Sequence, residues 1–160
     1  MMIQISKFKD QSSKWVRSFT IHHLAFIILL LVSCKTVEPL DDVTVNLNLW
    51  NEKKIENYSF SFKRVCFCPL EYVGPNQIVV QNGKISTVNG APYNKAERYG
   101  VMYTIPELLQ VIKANVDRKP VKQTLNFNPT YGYPTSVFFD FSEMIADEEI
   151  GYEITNFKIN

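Results

Sequence analysis

The alternation over residues 57–63 constrains the fold most. Tyr58, Phe60 and Phe62 alternate with Asn57, Ser59, Ser61 and Lys63. A period of two with bulky aromatics in one phase puts one face of a strand in a core and the other in water. Such a strand needs neighbours for its backbone groups and a layer over its aromatic face. The first neighbour is legible downstream, where residues 78–80 and 85–88 form apolar runs around Asn82-Gly83. Asn-Gly supplies the two positive φ angles of a type I′ turn, so these runs pair as a hairpin.

The rest of the chain extends this pattern. Residues 43–56 read two ways. Val43, Val45, Leu47 and Leu49 alternate as a strand would, while Val43, Leu47, Trp50 and Lys54 form a helical stripe. We read a helix over roughly 43–56. A long loop is expected over 89–103, with Gly90, Pro92 and Gly100. A second helix then opens with the capping-box spacing Thr104 to Glu107 and tolerates Pro106 in its first turn. Its stripe is Ile105, Leu108, Leu109, Ile112 and Val116, and it stops before Pro120. Three strands follow: Val121, Gln123, Leu125 and Phe127; then Thr135, Val137, Phe139 and Phe141; then Ile150, Tyr152 and Ile154. The phase slips at Phe157 and Ile159, which predicts a bulge or the sheet edge. The order helix, three strands, helix, three strands predicts an α+β fold. It would hold a largely antiparallel sheet of about five or six strands with two helices packed on one face. The two halves resemble a duplicated unit at this coarse level, without a residue-level repeat.

The N-terminus carries a separate signal. Residues 24–32 are nine consecutive apolar residues behind Lys7, Lys9, Lys14 and Arg17. A spanning helix needs about 20 such residues, whereas a signal-peptide core needs fewer. The run ends in Leu31-Val32-Ser33-Cys34, which resembles a bacterial lipobox. The resemblance implies export, cleavage before Cys34, and lipid on that thiol; stable anchoring takes more than one acyl chain. Lys35, where an Asp would retain such proteins at the inner membrane, favours the outer membrane by the same resemblance. The expected organisation is a signal peptide over 1–33, a lipidated tether over 34–42 and a single α+β domain over 43–160.

Composition narrows the function. The part from Cys34 onward has 127 residues, enough for one domain with a real core. The leader removes four of the 17 basic residues and one of the 16 acids, which leaves 13 against 15. That balance carries no electrostatic footprint for nucleic acid. Both histidines, His22 and His23, lie in the leader. The remaining domain therefore has no Ser-His-Asp or Cys-His nucleophile system and no His-ligated zinc. Six glycines in the whole chain form no phosphate-cradling loop. No cofactor motif and no catalytic constellation are legible.

Several motifs together resemble a family of bacterial envelope lipoproteins of uncharacterised function. Tyr58-Ser59-Phe60 runs into Cys66-Phe67-Cys68-Pro69, and a strand ends in the hairpin Gln81-Asn82-Gly83. A helix opens at Thr104, and Gly132-Tyr133-Pro134-Thr135-Ser136 follows. The segment Ile145-Ala146-Asp147-Glu148-Glu149-Ile150-Gly151-Tyr152 closes the series. The resemblance implies a lipoprotein or secreted address and no activity.

Three groups of residues carry candidate chemistry. Cys66 and Cys68 would share the apolar face if the strand from Tyr58 continued in phase. In an oxidising envelope nearby cysteines usually pair, but residues two apart on a regular strand stand near the upper limit for a disulfide, so a bridge requires a kink. A local structural disulfide, two buried thiols, and a redox or soft-metal pair all remain open. The acids Asp140, Glu143, Asp147, Glu148 and Glu149 are weak candidates for a hard cation and fit no EF-hand spacing; a solvated loop explains them as well. Tyr93, Tyr99 and Tyr103 in the long loop, with Tyr131 and Tyr133 in a turn, would floor a groove for a peptide or glycan if they converge. The expectation is a non-catalytic binding or interaction module, anchored to the membrane through Cys34 and meeting an envelope protein, peptide or glycan. Its sheet edge and loop 89–103 would form the contact surface. The alternatives are a thiol-redox or copper-handling protein using Cys66 and Cys68, and a structural subunit of an envelope complex.

Overall fold

The aromatic strand lies inside a sheet and is paired on both sides. The computed structural model describes residues 40–94, 102–145 and 147–160. The leader, Cys34, the tether up to residue 39 and Tyr99 lie outside them. In chain order the elements are α1 (Asp42–Lys53), β1 (Tyr58–Val65), the single turn α2 (Leu70–Val73), β2 (Asn76–Gln81), β3 (Lys84–Val88), β4 (Ala91–Pro92), α3 (Ile105–Asp117), β5 (Lys122–Phe127), β6 (Pro134–Asp140) and β7 (Ile150–Ile159). The strands form one sheet in the order β4-β3-β2-β1-β7-β6-β5, and every neighbouring pair is antiparallel. The fold is α+β, with seven strands rather than five or six.

The seventh strand comes from a second Asn-Gly turn. Asn82 and Gly83 have φ of 51° and 71°, as the β2–β3 hairpin demands. Asn89 and Gly90 repeat this at 51° and 80°, which folds Ala91–Pro92 back against β3 as β4. Part of the expected long loop is therefore sheet, and Pro92 sits on an edge strand, where a missing N–H costs no ladder bond. Asn89 also ties the hairpin together: its Oδ1 accepts from Gln77 N at 2.8 Å and its Nδ2 donates to Asn76 Oδ1 at 2.8 Å.

Both long helices cover the aromatic face. The stripe Val43, Leu47, Trp50 turns α1 inward, and Asp41 caps it by accepting from Thr44 N at 3.0 Å. The Thr44 hydroxyl bonded to Asp41 holds that carboxyl below its ordinary pKa. The helix ends at Lys53, short of residue 56, because Lys54 turns left-handed at φ 52°. Thr104 and Glu107 form the full capping box of α3, with Thr104 N donating to Glu107 Oε2 at 2.8 Å. Ile105, Leu108, Leu109 and Ile112 are buried on its inner side. Ile105 N, a first-turn group without an intrahelical acceptor, donates to Tyr58 Oη at 3.1 Å and joins α3 to β1. Burial pushes the Tyr58 hydroxyl up to about 12. The turn before β6 packs on α1 at Gly132, with φ 77°, where a Cβ would stand 2.3 Å from Asn46 O. Trp50 meets Tyr58 edge-on at 5.1 Å, and Tyr133 stacks on Phe157 at 4.5 Å.

The first strands run outward from β1 at the centre to β4 at one edge. After α3, the chain starts at the opposite edge with β5 and runs inward to β7, which pairs with β1. Both halves therefore step across the sheet in the same direction, from the β5 edge toward the β4 edge, while their first strands, β1 and β5, run antiparallel to each other. The phase slip in β7 is a bulge: the register with β1 shifts between Ser59 and Ser61, and Asn156 takes φ 53°. The extra residue keeps Phe157 on the covered face, against Trp50 and Tyr58.

Candidate functional site

The face of the sheet opposite the helices is polar over most of its length. Ser61 Oγ donates to Gln77 Oε1 at 3.1 Å, Asn156 Nδ2 donates to Ser61 Oγ at 3.2 Å, and Lys63 pairs with Glu153 at 3.3 Å. At one end this changes. Val65 of β1 stands opposite Gly151 of β7, and Gly151 stands opposite Phe138 of β6. Because successive side chains alternate faces, Val65 and Phe138 both point away from the core. Gly151 has no side chain between them; a Cβ there would lie 3.2 Å from Val65 Cβ and 3.5 Å from Phe138 Cδ2.

Two loops rise beside this row. The first follows β1. Pairing of β1 with β2 ends at Phe62 and Asn76, while pairing with β7 continues to Val65. Beyond Val65 the strand stops, and Cys66 to Cys68 bend before Pro69 opens α2. Gly74 closes the loop at φ 88°, where a Cβ would approach Phe62 O to 2.7 Å. The bend overturns the expectation that Cys66 and Cys68 lie on the apolar face: both are half-buried and neither belongs to the core. Their sulfurs are in contact and their Cα atoms are 5.4 Å apart, shorter than two residues of regular strand and inside the span a disulfide needs. Phe67 at the apex is 82% exposed, and Leu70 is 87% exposed.

The second loop joins β6 to β7. Two of its acids bond within the loop: Asp140 Oδ1 accepts from Ser142 N at 3.1 Å, and Glu148 Oε1 accepts from Phe141 N at 3.0 Å. Met144 is 93% exposed and Ile145 is 61% exposed. Asp147 takes φ 72° and, with Glu149, reaches the space next to the Cys66 bend. Val65, Cys66, Phe67, Phe138, Asp147 and Glu149 together line an open cleft of about 360 Å³. Glu143 and Glu148 do not line it. Among the described residues no three His, Cys, Asp or Glu side chains are grouped to hold a metal ion.

The tyrosines among the described residues do not form one floor. Tyr103 packs on Phe62 at 6.3 Å and Tyr152 at 6.5 Å, near the end of β1 where Arg64 lies over its ring. Tyr131 and Tyr133 pack on Phe157, next to Tyr58 at the other end of β1. Those ends, Tyr58 and Phe62, are four residue steps apart along the strand, about 13 Å. Tyr93 accepts from Met102 N at 3.2 Å and serves the loop before α3. Burial raises the Tyr133 hydroxyl above its ordinary pKa and takes the Tyr152 hydroxyl to about 12, as expected of packing residues.

Phe138, Phe67, Leu70, Met144 and Ile145 were not anticipated as site residues. One signal was available: Val137-Phe138-Phe139 is apolar in both strand phases, which marks a strand with apolar contacts on both faces.

Neither a curated protein nor a solved structure matches the chain. One family model does match, over residues 42–159, from the first residue of α1 to the last of β7. The chain belongs to DUF6174, a family of unknown function.

Proposed function

We propose that the protein is a membrane-anchored bacterial lipoprotein whose domain is a non-catalytic binding or interaction module of the cell envelope. The contact surface is the cleft between the Cys66 bend and the β6–β7 loop. The observation that carries this reading is the cleft itself, where exposed Val65 and Phe67 stand with Phe138 at one end of an otherwise polar open face. Large exposed apolar side chains gathered next to a cleft mark an interaction site more often than isolated ones do. The expected surface along loop 89–103 has less support, since its tyrosines serve local packing where they are described.

The anchor rests on Leu31-Val32-Ser33-Cys34 behind nine apolar residues and four cations. The envelope-lipoprotein resemblance adds to it, because two of its motifs, residues 66–69 and 145–152, border the cleft. In this reading the lipid on Cys34 holds the domain at the outer membrane, and Cys66 and Cys68 form a local disulfide that holds Phe67 outward.

Cys34→Ala should move the full chain from the membrane fraction to the soluble fraction; continued firm anchorage overturns the lipoprotein address. A photo-crosslinking residue at Phe67 tests the surface in living cells. A discrete crosslinked band that disappears when the probe is moved to exposed Lys84, the first residue of β3, supports the surface; equal or absent crosslinking at both positions rejects it.

One observation favours a second reading. Cys66 and Cys68 are half-exposed beside the cleft rather than buried, as a thiol-redox or copper-handling pair requires. Thiol alkylation of the full chain with and without prior reduction separates the two. Labelling only after reduction supports the structural bridge. Immediate labelling of both thiols, with Cu(I) retained through purification, supports the second reading.

A further inference from the structure

We propose that the cleft takes a peptide segment of a partner protein in which a lysine or arginine stands beside a bulky apolar side chain. This rests on the binding-module reading above and adds the partner's chemistry. Floor and wall differ in character. Val65 and Phe138 form an apolar floor that closes over buried Gly151 between them, where even a Cβ would stand 3.2 Å from Val65 Cβ and 3.5 Å from Phe138 Cδ2. Phe67 stands over one side. Asp147 and Glu149 form the other, and neither is in an ion pair among the described residues. The nearby cation of the open face, Lys63, faces Glu153. The cleft thus presents two carboxylates beside an apolar floor, and a cation next to an apolar side chain is its complement. At about 360 Å³ it is sized for a short segment rather than a whole protein face.

Other occupants fit less well. A lipid surface would accept Phe67, Leu70, Met144 and Ile145, but its anionic headgroups would meet Asp147 and Glu149. A neutral glycan would leave both carboxylates without counter-charge.

The test uses the full chain in nanodiscs of phosphatidylcholine, with empty discs as the blank. Dye-labelled hexapeptides alternating Lys-Leu, Glu-Leu and Lys-Gly are titrated by fluorescence anisotropy. The Lys-Leu peptide should saturate, and the other two should bind at least about tenfold more weakly, the scale of one lost contact of this kind. The D147N/E149Q variant and, separately, Phe67→Ala should each weaken Lys-Leu binding about tenfold. All three side chains are at least partly exposed and Asn accepts a positive φ, so both variants should keep the fold. Raising salt from about 0.05 to about 0.3 M should weaken binding to the unaltered protein severalfold, which tests the charge contribution without any substitution.

The proposal is overturned if Lys-Leu binding does not saturate, is indifferent to the variants or to salt, or is matched by the Glu-Leu peptide. It is also overturned if phosphatidylglycerol discs compete through Phe67 with the same strength, since the occupant is then a membrane. Saturation by the Glu-Leu peptide through Phe67 would discard the charge assignment and leave the binding module standing. Failure of every peptide together with absent crosslinking at Phe67 would remove both.

Discussion

The environment along β1 reverses within a few residues. Tyr58, Phe60 and Phe62 are essentially inaccessible, whereas Phe67, five residues past Phe62, is 82% exposed. Both stretches are rich in aromatic and apolar side chains, so hydrophobicity does not separate them. Cover and pairing do. The first half of β1 is hydrogen-bonded to β2 and β7 and lies under α1 and α3. Past Phe62 the β2 partner ends, past Val65 the β7 partner ends, and the chain turns away from the helices. An apolar residue is buried where a second layer covers it, and the same residue becomes contact surface where none does.

The largest test of this contrast is at its covered end. Phe60→Ala opens a cavity between both helices and the sheet and should cost about 3–5 kcal/mol, read as a lower urea midpoint at unchanged slope. A loss under about 1 kcal/mol would mean that the layer is not packed as described. The next effect depends on pH. Burial takes Tyr58 and Tyr152 from an ordinary 10.0 to about 12 in the fold. A hydroxyl with a raised folded pKa holds its proton more tightly in the folded state. Its contribution is therefore fully present below pH 10 and is lost as pH rises from 10 to 12. Two units each correspond to on the order of 2–3 kcal/mol per tyrosine. Denaturation midpoints across that window should fall, and Tyr58→Phe should remove about half of the slope; an unchanged slope would show that Tyr58 ionises freely.

Much of the covered region was legible in the sequence, because its signals are local. The β2–β3 turn, the capping box of α3 and the bulge of β7 each depend on residues within a few positions of one another. The β3–β4 hairpin carries the same Asn-Gly signal but was hidden, since Ala91–Pro92 is too short to show alternation and contains a proline. The open end was legible in parts only. Cys66, Cys68 and the acidic run stood out as types, but their meeting depends on β1 pairing with β7, some 90 residues downstream, which no local pattern states. The alternation from Tyr58 was expected to carry both cysteines inward. It fails there because a strand lasts only as long as its partners, and the loss of β2 at Asn76 has no signature inside β1 itself.

Two smaller effects sharpen the contrast at the open end. If Cys66 and Cys68 are bridged, reduction should cost no more than about 1.6 kcal/mol, because so short a ring restricts the unfolded chain little. A loss of several kcal/mol on reduction would instead place the bend within the cooperative core. The smallest effect is the most discriminating. Phe67→Ala should shift the urea midpoint by less than the equivalent of about 0.5 kcal/mol, as for a surface substitution away from any packing contact. Phe60 and Phe67 are the same side chain on the same length of chain, so the roughly tenfold difference in cost between their alanine variants isolates the contribution of the covering layer. The position with no cost to stability is also the one whose removal should weaken binding at the cleft. A Phe67→Ala variant that loses stability on the scale of Phe60→Ala would show that Phe67 packs inside the fold, and the cleft would then lose its apolar wall.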